Sequence, residues 1–203
     1  MSLSFFYLAG WINNYSGGFN SATGNFRTVS FLNYDWKIDE QKLHSFDVLL
    51  KHSIKILKES KLENDLIINY FEEKKGASLQ SVNLVNSLID FFFNIGTPII
   101  NDQFNFSTSI FSAIDSNDKN SLPFLERINF LLGVLHSNSE ENIFNFHNDY
   151  PKCLLTHSVL KSLAEEDDKI FMESYFKTPH TDRIIIDQKS PLFKYINKMT
   201  KKF

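Results

Sequence analysis

HNDYPKCLLTH, residues 147–157, holds the single cysteine of the chain and two of its six histidines. Cys153 and His157 stand four apart, so on a helix both project from one face, as two ligands of one metal should. His147 and Asp149 would complete a four-ligand zinc set only if the chain folds back, and the spacing matches no recognised zinc motif. A second chemistry makes Cys153 a nucleophile. With Pro151 as the first helical residue, Cys153 falls in the first turn beside Lys152, where the helix dipole and the ammonium both lower a thiol pKa. A histidine base and an orienting group must then come from elsewhere. The plainer alternative is a helix start: Asp149 caps, Pro151 opens, and Cys153 packs as a small hydrophobe beside Leu154, Leu155 and Leu160. Free cysteine is more often buried and inert than reactive, so this reading is adopted. No catalytic residue, metal ligand or cofactor is assigned.

AEEDDK, residues 164–169, carries four consecutive carboxylates: Glu165, Glu166, Asp167 and Asp168. Consecutive residues cannot all face one side of a helix, so they make a poor metal cage. Runs of charge are usually solvated surface. The functional alternative is an acidic patch that docks a basic protein, extended by Glu140, Glu141 and Glu173. Complementary charge of this kind speeds association and selects partners. The C-terminal SPLFKYINKMTKKF is basic instead. Its Leu192, Ile196, Met199 and Phe203 share one stripe, which suits a terminal core helix whose lysines complement the helix dipole better than it suits a membrane-surface helix. HExxH, CxxC, GxSxG and a phosphate-cradling glycine loop are all missing from the sequence.

The elements that must position these residues read as helical from residue 38 onward. Asp39 caps a helix whose Leu43, Phe46, Leu50, Ile54 and Leu57 form a stripe. LENDLIINYFEEKK reads as a second helix ended by Gly76. Ser78 begins a third that stops at Gly96, and DQFNFSTSIFSAID is a weaker fourth. NDKNSLP is a turn before PFLERINFLLGVLHS, with Pro123 early in that helix. SEENIFNF, PKCLLTHSVLKSLAEE, DKIFMESYFK and SPLFKYINKMTKK follow as further helices. RIIID, residues 183–187, is either a short strand or a buried connector. Residues 1–37 form an irregular arm rich in glycine and aromatics, with room for a short strand in FRTVSFLNYDW. The expected fold is a single mainly α domain spanning 1–203, with antiparallel helical hairpins packed around a Phe-rich core. LHSNSEENIF (135–144) and LAEEDDKIF (163–171) echo each other, each an apolar helix end, an acidic stretch and an Ile-Phe opening.

Composition narrows the role. The chain has 203 residues, 42% of them hydrophobic, and 21 are Phe. That is enough for a sizeable core stabilised by a few large groups. Only Arg27, Arg127 and Arg183 can offer a guanidinium fork, which argues against nucleic acid as the partner. No uncharged apolar run approaches membrane-spanning length. One cysteine cannot form an internal disulfide, which suits a reducing cytoplasm.

LLTHSVLKSLAEEDDKIFMESYF, a helix, an acidic turn and a helix, resembles the helical immunity proteins of bacterial polymorphic-toxin and contact-dependent growth inhibition systems. The resemblance covers the C-terminal third; the N-terminal arm departs from that pattern. It implies a cytoplasmic, non-catalytic inhibitor that binds one cognate toxin, often a basic nuclease, and blocks its active site. Two other roles stay open on the residues alone. One is a helical-repeat-like scaffold or regulatory adaptor. The other is an enzyme using Cys153 or a metal near His147 and His157.

Overall fold

The computed structural model describes residues 2–11, 17–20, 25–29, 40–71, 76–94, 99–100, 103–104, 110–112, 118–147, 149–176 and 180–200. Within them the helices are α1 (Leu3–Trp11), α2 (Glu40–Glu59), α3 (Val82–Asn94), α4 (Leu122–Asn138), α5 (Tyr150–Leu163) and α6 (Pro191–Thr200). The strands are β1 (Gly17–Asn20), β2 (Asn25–Val29), β3 (Ile67–Phe71), β4 (Gly76–Gln80), β5 (Ile99–Ile100), β6 (Gln103–Phe104), β7 (Ser139–Glu140), β8 (Ile143–His147), β9 (Ile170–Tyr175) and β10 (Thr181–Ile186). Helices dominate, but the fold is mixed α/β. The expected helical hairpins are replaced by β-hairpins and a four-stranded antiparallel sheet of order β7-β8-β10-β9.

The largest correction is at the N-terminus, where residues 3–11 are a helix and not part of an irregular arm. LSFFYLAGW has no charge and no polar face, so it can be stable only as a central helix. Every residue from Ser4 to Trp11 is buried. It lies directly on α4, backbone against backbone. A Cβ on Gly10 would fall 1.9 Å from the Phe130 carbonyl oxygen, and one on Gly133 would fall 2.0 Å from that of Tyr7. Around this contact sits an aromatic cluster: Phe5 stacks on Phe91 at 4.0 Å, and Phe6 and Phe130 both meet Phe111, at 5.6 and 5.4 Å. Glu126, fully buried on α4, accepts from the Ser112 N–H at 2.9 Å, while Arg127 donates to the Ser112 carbonyl at 2.9 Å. Adjacent residues of opposite charge thus clamp residue 112 to the helix, and their buried polar atoms are satisfied by Ser112 and by the Pro123 carbonyl.

Other expectations shift in instructive ways. The expected short strand within residues 26–36 is found as β2, paired with β1. LENDLIINYFEEKK is not a helix: its Ile67–Phe71 stretch pairs with Gly76–Gln80, so Gly76 opens a strand. The third helix starts after Ser81, not at Ser78; Ser81 Oγ accepts from Leu84 N–H, and Asp65 accepts from Val82 and Asn83 N–H. On α2 the buried stripe runs through Phe46, Leu49, Ser53 and Ile56, and Ile54 is exposed. Ser53 can occupy an apolar stripe because its hydroxyl donates to the Leu49 carbonyl at 2.9 Å. Of the weak fourth helix, Gln103–Phe104 is strand and most of the remainder lies outside the described residues. The C-terminal helix is a core helix, with Leu192, Phe193 and Ile196 buried. Among the described residues no helix is long and apolar enough to cross a membrane.

His52 on α2 joins the core polar cluster of α1. Its ring stacks on Tyr7 at 4.0 Å and its Nδ1 lies 3.0 Å from Ser4 Oγ. Burial, and secondarily Lys55, push its pKa down from 6.5 to about 4. The unfolded chain therefore binds this proton more tightly than the folded chain. Stability from His52 is complete above its unfolded pKa and is lost as pH falls from there toward the folded value. The expected loss is about 2 kcal/mol, discounted from the full shift because the ring keeps some solvent contact. Denaturant titrations at pH 7 and at about pH 4.5 check it. His52→Gln should lose less stability between the two than the wild type; equal losses would remove His52 from the acid response.

Candidate functional site

The helix-start reading of HNDYPKCLLTH holds. Asp149 caps α5 by accepting from the Lys152 N–H at 3.3 Å, and Pro151 sits in the first turn. Cys153 is fully buried. Burial first, and then the carboxylates of Asp182 and Asp149, push its thiol up to about 12. Burial and these two carboxylates both favour the protonated thiol, so at neutral pH the sulfur carries its proton and is a poor nucleophile. His147 closes β8 with its Nδ1 2.9 Å from Thr181 Oγ1, and is not folded back onto Cys153 and His157 as a ligand set. No group of His, Cys, Asp and Glu among the described residues is arranged to hold a metal ion.

The tertiary structure assembles one constellation that sequence spacing hides. Asp182, wholly buried on β10, accepts from Ser174 Oγ at 2.6 Å and faces His180 Nε2 at 3.1 Å, both at Oδ1. The residue types are those of a hydrolytic triad, but the order is wrong. A triad needs the histidine between serine and carboxylate, so that the imidazole can take the hydroxyl proton. Here both groups meet the carboxylate, and no base is set on Ser174. The arrangement ties Ser174 of β9 and His180 to the central strand.

The acidic residues separate into two kinds. Glu165, Glu166 and Asp167 are exposed in the turn between α5 and β9. Glu165 makes a surface ion pair with Lys119 at 3.1 Å, a contact of small energetic value. Asp168 is structural. Its Oδ2 accepts from the Glu165 N–H at 2.7 Å and its Oδ1 from the Leu192 N–H at 3.0 Å, closing its own turn and capping α6. Asp168→Ala should therefore cost about 1–2 kcal/mol of stability, measured by urea denaturation. A variant as stable as the wild type would return Asp168 to the surface patch. Glu141 is exposed in the β7–β8 turn with φ 56°, and the Glu140 backbone pairs with Ile143. That turn meets the end of β10 where the acidic turn also arrives: Asn142 bonds Ile186, and the Asp187 N–H donates to the Lys169 carbonyl. Glu141 and the 165–167 turn thus share one end of the sheet. Glu173 stands apart, midway along β9.

DKIFMESYFK is not a helix but contains β9, an edge strand. SEENIFNF is not a helix either; it contains β8. RIIID belongs to the central strand β10. The two echoed segments are therefore helix, turn and strand, and they flank β10 on opposite sides. Their registers differ by one residue, since Ile143 and Phe171 both pair with Ile185. A one-residue slip turns side chains to the other face. Phe144 points into the core and is fully buried, whereas Phe171 points outward and is 54% exposed. Beside Phe171 on this outward face, Arg183 lies over the Tyr175 ring at 4.6 Å and Tyr175 donates to Glu173 at 2.6 Å. Two buried polar atoms beneath this face, Asn145 Oδ1 and Arg183 Nε, have no hydrogen-bond partner among the described residues. Met172 and Phe176 are exposed as well. Exposed aromatic side chains, here with the half-buried Arg183 held over one of them, are the usual anchors of a protein interface.

No protein-family model matches this chain, and no characterised protein is significantly similar to it in sequence. The role must therefore be argued from these surfaces. Sequence reasoning singled out Glu173 and the acidic turn but missed Phe171, Tyr175, Phe176 and Arg183. The available signal was the strand composition of IFMESY, with aromatics and a β-branched residue in six positions. It was masked because both faces of an edge strand are exposed, so hydrophobicity does not alternate along it.

Proposed function

We propose that this chain is a non-catalytic, cytoplasmic protein-binding module, an immunity protein that binds and blocks a basic toxin domain. The observation that carries the reading is β9 and the residue after it, where Phe171, Met172, Tyr175 and Phe176 are exposed, with the acidic turn of Glu165, Glu166 and Asp167 at the N-terminal end of the strand. A monomer gains nothing from exposing such a cluster, and apolar patches rimmed by charge mark interaction sites. Acids at its border favour a basic partner by steering and by rejecting acidic competitors. The protonated, buried Cys153 thiol weighs against the enzyme alternative, and stacked helical hairpins, the premise of the adaptor alternative, are replaced by a sheet.

Co-expression with the C-terminal domain of the protein encoded immediately upstream tests this. Growth rescue together with a stoichiometric complex supports immunity. A harmless upstream domain that binds nothing removes it.

A further inference from the structure

Hydrogen bonding along β10 alternates by residue. The Ile186 N–H donates to the Asn142 carbonyl at 3.1 Å, toward β8, and the Asp187 N–H donates to the Lys169 carbonyl at 3.0 Å, toward β9. With Ile184 opposite Phe144 and Arg183 opposite Glu173, the even-numbered residues of β10 bond β8 and the odd-numbered ones bond β9. It follows that Phe171, Glu173 and Tyr175 spend their backbone groups on β10. Ile170, Met172 and Ser174 turn their N–H and C=O groups to the other side, where among the described residues no strand pairs with them.

Natural edges are guarded by lysine, proline, a bulge or brevity. β9 has six residues in unbroken register, contains neither Lys nor Pro, and carries one charge, Glu173. Among the described residues it is a regular edge with no strand paired to it, preceded by the exposed carboxylates of the acidic turn and by the exposed Lys169.

We propose that β9 receives a strand of a basic partner protein, paired backbone to backbone along Ile170, Met172 and Ser174. Cationic side chains of that strand lie against Glu173 and the turn of Glu165, Glu166 and Asp167, and its apolar side chains cover Phe171 and Met172. This rests on the docking reading above and specifies its mode. A second copy of the chain is the poorer occupant, because β9 offers Glu173 and no base to another Glu173.

The test is amide hydrogen exchange on the full chain, free and in complex with the co-expressed C-terminal domain of the upstream protein. The Met172 and Ser174 amides should slow by about tenfold or more in the complex. The Glu173 amide, already bonded to β10, should be slow in both states. Met172→Pro removes an edge-facing N–H and spares the bonds to β10. It should weaken the complex by about tenfold relative to Met172→Ala, which keeps that N–H. If the proline variant does not fold, the exchange measurement on the wild type decides alone. A complex in which Met172 and Ser174 exchange as fast as in the free chain overturns strand pairing and leaves the docking reading standing. Failure of the wild type to form a complex overturns both.

Discussion

Gly10→Ala should abolish the native fold. The added methyl would sit 1.9 Å from the Phe130 carbonyl oxygen, with the Phe130 carbonyl carbon at 2.9 Å and the Val134 nitrogen at 3.0 Å. All three are backbone atoms of a buried helix, so no side chain can swing aside to make room. Relief requires α1 to lift off α4, which opens the aromatic cluster around Phe6, Phe111 and Phe130. The expected cost is about 4 kcal/mol or more, a large share of the stability of a domain of this size. Gly133→Ala should behave alike, since its methyl would meet the Tyr7 carbonyl oxygen at 2.0 Å. Ala9→Gly on the same helix is the control and should cost about 1 kcal/mol from helix propensity. Soluble yield and urea midpoints read the difference. A Gly10→Ala protein with a wild-type midpoint would mean the two backbones do not touch.

The largest functional effect is expected from reversing Glu165, Glu166 and Asp167 together to lysine. Against a basic partner, a repulsive border replaces a steering one. Affinity should fall by about a hundredfold, mostly through slower association. The loss should shrink as salt rises, since exposed charges are screened within about 8 Å at physiological ionic strength. Stability should change by no more than about 0.5 kcal/mol, because these three side chains are exposed and, among the described residues, only Glu165 has a surface ion pair. Asp168 stays unchanged in this variant, as its carboxylate caps α6. Association rates at two salt concentrations measure the effect. If the cognate complex forms at the wild-type rate in low salt, the acidic turn is not part of the interface.

Signals that act within one turn of chain were legible. Pro151 with Asp149 announced α5, Pro123 announced α4, and Gly133 was visible inside α4 without any hint of what it touches. The apolar stripe of the basic C-terminal segment reads as the inner face of a core helix, and its Leu192 and Ile196 are buried. IFNFH was misread despite a readable alternation, with Phe144 and Phe146 buried and Asn145 between them. IFMESY had no alternation to read. RIIID reads as a short strand or a buried connector and belongs to β10, while the buried Asp182 before it is a residue that sequence alone places on the surface.

Sequence by itself determined the positions of α4, α5 and α6, the cap of α5, the Phe-rich core and the acidic turn, because local capping and helical periodicity depend on residues three or four apart. Only the tertiary structure decided that α1 is central, that the Asp168 carboxylate caps α6, and that β9 is an edge strand among the described residues. Each of those depends on groups far apart in the chain. Gly10 meets Phe130, Asp168 meets Leu192, and Phe171 faces outward because its register against Ile185 matches that of Ile143 and not of Phe144.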